Sequence, residues 1–260
     1  MFLLSNSRAA GFVDEGKPLQ ATYVGAFMND ELVGVIAHCW NGVVLVQAPS
    51  DLVTDAMVAE LATRAVAASK RAVKGFSGPA DQVRVARGAF TLPPPALDKT
   101  EALYALALAE LRIPDALASG AAMCRLARDH ELRTLAAWRH AYALETLGAE
   151  DSPEIVARSQ REIDELARHG QLWVLEIDRA IVAMTAFNAR IPDIVQVGGV
   201  YTPPEQRRRR YARNVVAGSL LDARAAGATR AILFTASADA ARAYEAIGFQ
   251  HIGEYALVLL

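Results

Sequence analysis

Four consecutive arginines at positions 207–210 lie between Pro203-Pro204 and a helix-forming stretch, residues 212–226. Upstream, Val195, Val197 and Val200 read as an apolar strand interrupted by Gly198 and Gly199; glycine there signals a bulge, or a backbone that another group approaches closely. Strand, basic turn and helix start together make an anion site, because the first-turn amides have no intrahelical partner and the helix dipole is positive there. Guanidinium groups add charge-assisted hydrogen bonds to a phosphate. Beyond the helix and Gly227, a second apolar strand at residues 231–235 leads to Ser237, Ala240, Tyr244, Gly248 and Phe249. Ser237 suits a helix N-cap, and a phenol such as Tyr244, with an ordinary pKa near about 10, keeps its proton at neutral pH and can donate it. A charge run by itself is usually solvated surface, and a tyrosine by itself is usually packing. Their order around one strand, helix and strand is what points to chemistry.

The run Pro204-Glu205-Gln206-Arg207-Arg208-Arg209-Arg210-Tyr211-Ala212 resembles the pyrophosphate loop of the GNAT superfamily of N-acetyltransferases, Gln/Arg-x-x-Gly-x-Gly/Ala. Ser237-x-x-Ala240-x-x-x-Tyr244-x-x-x-Gly248-Phe249 resembles that family's later motif, Asn-x-x-Ala-x-x-x-Tyr-x-x-x-Gly-Phe. The resemblance covers about the last 140 residues, a length that suits one domain. Two positions depart from the pattern. Arg210 stands where the loop usually has glycine, so its backbone either keeps φ negative or bears an unfavourable conformation. Ser237 replaces the usual asparagine, which puts that residue's contact to the cofactor in doubt.

The resemblance implies an α/β acyl-CoA N-acyltransferase fold around a mixed central sheet, and transfer of an acetyl group from acetyl-CoA to a primary amine by direct attack in a ternary complex. The strand from Val197 to Tyr201 would present backbone groups to the pantetheine arm, with an amide near Val200 facing the acetyl oxygen and stabilising the oxyanion; Val200, Tyr201 and Thr202 are thereby cofactor-binding candidates. Arg207, Arg208, Arg209, Arg210, Tyr211 and Ala212 would cradle the pyrophosphate, with Ser237 also at the cofactor. Tyr244 would act as general acid towards the departing thiolate. Glu145 is the candidate general base; Glu176 and Asp193 are further carboxylates able to take a proton, and each of the three reads first as a solvated carboxylate or helix-surface charge. The amine acceptor, a small molecule or a peptide, is not written in these residues. A non-catalytic acyl-CoA-binding or regulatory module is the competing reading, kept open by Arg210 and Ser237.

The same order of elements occurs earlier in the chain. Residues 22–28 and 32–39 read as a hairpin turning at Asn29-Asp30, followed by a strand at 43–48 ending at Pro49, a helix at 53–70, and a short helix at 80–88. The later copy has a strand at 123–127, helices at about 131–147 and 152–169, a hairpin at 172–186 turning at Asp178-Arg179, the strand ending at Pro203, and the helix at 212–226. Residues 103–108 have helix-favouring composition, yet they sit where residues 254–259 sit in the second copy, and are therefore read as a strand. Two GNAT-like units in tandem follow: a degenerate one at 1–118, with Ser50-Asp51 in place of the arginine loop and no Tyr-x-x-x-Gly-Phe, and a catalytic one at 119–260.

With 260 residues, 53% of them hydrophobic, the chain can bury a large core. A net charge of −2 argues against a nucleic-acid binder or a binder of anionic membranes. Cys39 and Cys124 have neither metal-like spacing nor a disulfide pattern, so free thiols and no metal are expected. The N-terminal apolar run is too short for a signal peptide, and no stretch approaches the about 18 apolar residues of a membrane span. A cytoplasmic protein is the expectation, with homodimerisation left open.

Overall fold

The structure, a computed structural model, describes residues 1–260. The chain begins with α1 (Phe2–Ala10), then β1 (Ala21–Met28), β2 (Glu31–Cys39) and β3 (Val43–Gln47). Next come α2 (Asp55–Ser69), β4 (Gly75–Pro79), α3 (Ala80–Gly88), β5 (Leu97–Ala107) and the one-turn α4 (Asp115–Ala118). Strand β6 (Met123–Leu126) is followed by α5 (Leu132–Leu147), α6 (Pro153–Arg168), β7 (Leu172–Ile177), β8 (Ala180–Ile191) and β9 (Ile194–Tyr201). The last elements are α7 (Tyr211–Ala225), β10 (Arg230–Thr235), α8 (Ala238–Glu245) and β11 (Gln250–Leu259). No helix is long and apolar enough to cross a membrane.

Two compact units result: Met1–Leu103 together with Ile252–Leu260, and Tyr104–His251. This differs from the sequence division at 118/119 in two places. Residues 104–118 pack with the second unit, and the last strand packs with the first, where β11 runs antiparallel to β4 with Tyr255 opposite Pro79 and Leu259 opposite Gly75. A boundary read from composition follows the chain, whereas sheet membership follows whichever edge offers unpaired N–H and C=O groups.

In the first unit the sheet runs β1-β2-β3-β4-β11. The β1–β2 turn has positive φ at Asn29 and Asp30, the conformation that a two-residue hairpin with right-handed strand twist requires. Ile36, Val44, Phe76 and Val258 from the sheet bury against Val58, Leu61 and Ala62 of α2 and Val83 and Ala86 of α3. Each large side chain so buried stabilises by about 1.5–3 kcal/mol. A smaller cluster, Ala21, Ala37, Cys39 and Leu45, is joined by Phe2 and Leu3 of α1.

The second unit has the strand order β5-β10-β9-β8-β7-β6. Helices α5 and α6 put Leu135 and Ile163 onto Leu172, Val174 and Met184. The intervening Trp173 donates its indole N–H to Asp222 of α7 at 2.7 Å. Both faces of β7 are thus covered, which explains why residues 172–175 are apolar without alternation and are all buried. Strand β5 keeps Tyr104 and Leu106 buried between the more exposed Ala105 and Ala107, so a period of two prevails over the helix propensity of alanine and leucine.

Candidate functional site

Strand β9 lies between β8 and β10, and its two partners treat it differently. Against β10 it is parallel, with Arg230, Ala231 and Ile232 opposite Ile194, Val195 and Gln196, and the pairing ends there. Both strands continue, β9 to Tyr201 and β10 to Thr235, so they part and leave β9 without a strand partner on that side over residues 197–201. Against β8 the register jumps between Ala186–Gly198 and Met184–Tyr201. The additional β9 residue is the bulge that the paired glycines suggested, and Gly199 takes φ of +58° within it. Val200, the sequence candidate for an oxyanion amide, lies in this bulge.

A short 3-10 turn, Pro204–Gln206, carries the chain from β9 to α7. Arg208 and Arg210 both take positive φ, 64° and 66°. Of the two conformations open to Arg210 the unfavourable one is adopted, and it occurs twice, at about 1–2 kcal/mol for each residue with a side chain. Left-handed Arg210 followed by the right-handed start of α7 turns successive N–H groups into one concavity, a main-chain nest for an anion. The amides of Arg208, Arg209 and Arg210 donate to no backbone carbonyl. Helix α7 has Arg210 as its N-cap without a side-chain hydrogen bond, so the first-turn amides, including those of Tyr211 and Ala212, also lack acceptors. The Arg208, Arg209 and Arg210 side chains are exposed.

Arg207 is engaged differently. Its Nε donates to the Thr202 carbonyl at 2.9 Å, its Nη2 to Glu145 Oε2 at 2.5 Å, and its guanidinium lies 5.7 Å from the Tyr201 ring centre. Tyr201 also donates to Glu145 Oε1 at 3.3 Å. Glu145, on α5, is thereby drawn to the start of the loop with both carboxylate oxygens occupied. Burial and Glu145 push the Tyr201 hydroxyl up, and the carboxylate raises Arg207 above its usual value. The Thr202 hydroxyl is buried and has no hydrogen-bond partner.

Tyr244 sits on α8, which Ser237 caps by accepting from the Ala240 amide at 3.3 Å. The ring is buried with Phe249 6.1 Å away, edge on. Gly248 between them has φ of +107°, and a Cβ there would come within 2.9 Å of the Glu110 carbonyl, so the glycine of this motif is required by both conformation and space. Burial first, and the neighbouring Tyr142 phenol second, push the Tyr244 hydroxyl well above the ordinary tyrosine range. It is a protonated donor at neutral pH.

The other carboxylates named from the sequence lie elsewhere. Glu176 pairs with Arg125 at 2.5 Å on the β6–β7 edge. Asp193 pairs with Arg230 at 2.8 Å, just ahead of β9 and at the opposite end of that strand from the loop. His140 contacts Asp151 at 3.0 Å. Sequence reading missed Arg139 and Tyr142, one helical turn apart on α5. Arg139 Nη1 is 3.7 Å from where a side chain at Gly199 would begin, and its guanidinium stands 5.0 Å over the Tyr142 ring. In the sequence they are ordinary polar positions of an amphipathic helix.

A sheet that opens beside a helix start, with a main-chain nest and a buried phenol, defines an α/β domain suited to a phosphate-bearing ligand. Residues 128–249 match the model of the acetyltransferase (GNAT) family. No curated protein matches the sequence. Among solved structures, a Drosophila protein aligns at TM-score 0.63 and 11% identity, over 100% of this chain and 89% of that one. A GCN5-related N-acetyltransferase from Kribbella flavida aligns at 0.58 and 17%, over 87% and 86%. A GNAT-family acetyltransferase from Colwellia psychrerythraea aligns at 0.54 and 15%, over 92% and 86%. These are likenesses of fold, and they reach beyond residues 128–249.

Proposed function

We propose that the protein is an N-acetyltransferase that moves an acetyl group from acetyl-CoA to a primary amine, working in the cytoplasm. The observation that carries this is the loop backbone: two arginines hold left-handed conformations that cost stability, and what they form is a nest of unpaired amides next to the parted end of β9. Acetyl-CoA would supply the thioester. The amides of residues 208–213 and the free Arg208, Arg209 and Arg210 side chains suit its pyrophosphate, and residues 200–202 its pantetheine arm. An amide in the Gly199–Val200 bulge would stabilise the developing oxyanion. As the new N–C bond forms and the C–S bond breaks, Tyr244 gives its proton to the departing thiolate. The ammonium proton goes to Glu145, directly or through water. Arg207 aligns Glu145 with the loop. Burial pushes the Cys39 and Cys124 thiols to about 12, which suits unpaired cysteines in a reducing compartment. The first unit, with a similar order of elements and no such loop, is a degenerate relative that serves structure or substrate binding.

One specific observation keeps a second reading in play: both oxygens of the candidate base are already bonded. A non-catalytic acyl-CoA-binding module would look the same. Thermal unfolding with and without acetyl-CoA, followed by thiol release with a panel of amines, separates the two. Stabilisation with release is expected. Stabilisation without release selects the module, and no stabilisation removes both.

A further inference from the structure

Three charged side chains on α5 and α6 form a group that is not neutral. Arg139 Nε donates to Glu162 Oε2 at 2.7 Å, and Arg158 approaches the other oxygen, Oε1, at 3.5 Å. Two guanidiniums thus share one carboxylate, leaving one positive charge over. The nearby Arg207–Glu145 pair, at 2.5 Å, is balanced and leaves that surplus as it is. Arg139 spends only its Nε on Glu162. Its Nη1 and Nη2 make no hydrogen bond, and Nη1 lies 3.7 Å from where a Cβ on Gly199 would sit. With its side chain only 18% exposed, this guanidinium is poorly screened by solvent. A half-buried arginine with two free, coplanar donors is matched by a carboxylate, which it can bind through two parallel hydrogen bonds.

On the reading that the bulge amide faces the acetyl group, the free Nη1 stands beside the reacting carbon. Tyr142 links it to the acid end, since its ring lies under the Arg139 guanidinium and its phenol neighbours Tyr244. We infer that Arg139 receives a carboxylate of the acceptor, and that the acceptor is a free amino acid, whose amine is one carbon away from that carboxylate. A simple amine would leave the surplus charge without a partner. The N-terminus of a peptide has an amide where the carboxylate should be, and is excluded for the same reason.

The inference rests on the acetyltransferase reading, and its test keeps the two apart. Free amino acids, their carboxamides and the corresponding decarboxylated amines are compared by thiol release with acetyl-CoA. Binding of the same compounds to CoA-loaded protein is measured by calorimetry. Free amino acids should be preferred over their carboxamides by at least about tenfold in kcat/KM, the equivalent of one charge-assisted hydrogen bond. Arg139→Gln should erase that preference by raising KM for the amino acid while leaving the carboxamide unchanged. Arg139→Lys, which keeps the charge and the contact with Glu162, should retain part of it. Carboxamides served as well as acids, or Arg139→Gln lowering both alike in a protein that still binds acetyl-CoA, would overturn the inference. If acetyl-CoA binds and no amino acid does, this inference fails alone; if acetyl-CoA does not bind, the acetyltransferase reading fails first.

Discussion

Each unit carries a strand into a helix beside a parallel neighbour, β3 into α2 in the first and β9 into α7 in the second, and the two junctions use their main-chain donors in opposite ways. In the first unit, the paired residues of β3 and β4 end at Leu45 and Ser77, but the strands stay in close contact beyond them. Gly78 comes so close to the Val46 carbonyl that a Cβ would sit 2.6 Å from it. The Ala48 amide, just past β3, donates to the buried Gln82 side chain at 2.7 Å. Helix α2 is capped by Thr54, which accepts from the Met57 amide, and it has Asp55 in its first turn and Asp51 just before. The Ala48 and Met57 amides are taken and the neighbouring side-chain charges are negative, so this junction suits an anion poorly. In the second unit, β9 and β10 part after Gln196, the helix starts without a side-chain cap, and arginines surround the unpaired amides. The difference teaches that an anion site depends less on strand-helix order, which both junctions have, than on leaving donors unsatisfied at a cost in stability.

Three substitutions would break or sharpen this contrast, in order of expected effect. Tyr244→Phe should lower kcat by about 100-fold or more, the usual contribution of a general acid, with KM for acetyl-CoA nearly unchanged. Because burial raises the Tyr244 hydroxyl, the wild-type kcat profile should show no loss of this acid as pH rises to the ordinary tyrosine value of about 10. Steady-state kinetics from neutral pH upward checks both, and full activity in the variant would remove Tyr244 from the reaction. Gln82→Ala should strip the Ala48 amide of its partner and destabilise the protein by about 2 kcal/mol. Acetyl-CoA kinetics should stay as they are; a change in cofactor KM would mean that the first junction is not inert. The smallest effect is expected at Arg210→Gly. Relief of the left-handed strain should stabilise the apo protein by about 1 kcal/mol while KM for acetyl-CoA rises. Measured by chemical denaturation beside kinetics, a variant that loses stability would show that Arg210 is held by something other than the demands of the nest.

Much of the framework was legible in the residues. The hairpin turns at Asn29-Asp30 and Asp178-Arg179 both take positive φ at both positions, as two-residue turns between strands require. The Gly198-Gly199 bulge and the Ser237 cap also follow from local chemistry. Residues 97–107 form a strand, where alternation of the larger residues with alanine outweighed composition. What stayed hidden is what depends on distant partners. Nothing in residues 252–260 says that they pair with β4. The engagement of Arg207 with Glu145 spans helix and loop, and makes one of four adjacent arginines unlike the other three.

By itself, then, the sequence determined the kinds of element, their order, and the presence of a basic turn before a helix and a tyrosine four residues ahead of Gly248-Phe249. These rest on turn chemistry, capping and periodicity, which act over a few residues. Tertiary structure alone decided that β9 runs on for five residues beyond its pairing with β10 while β3 and β4 stay in close contact past theirs, and that Arg208 and Arg210 hold a glycine-like backbone. It also decided that Arg139 lies over the bulge. Strand parting and backbone strain are outcomes of packing, because the surrounding fold must over-determine a conformation before an unfavourable one persists.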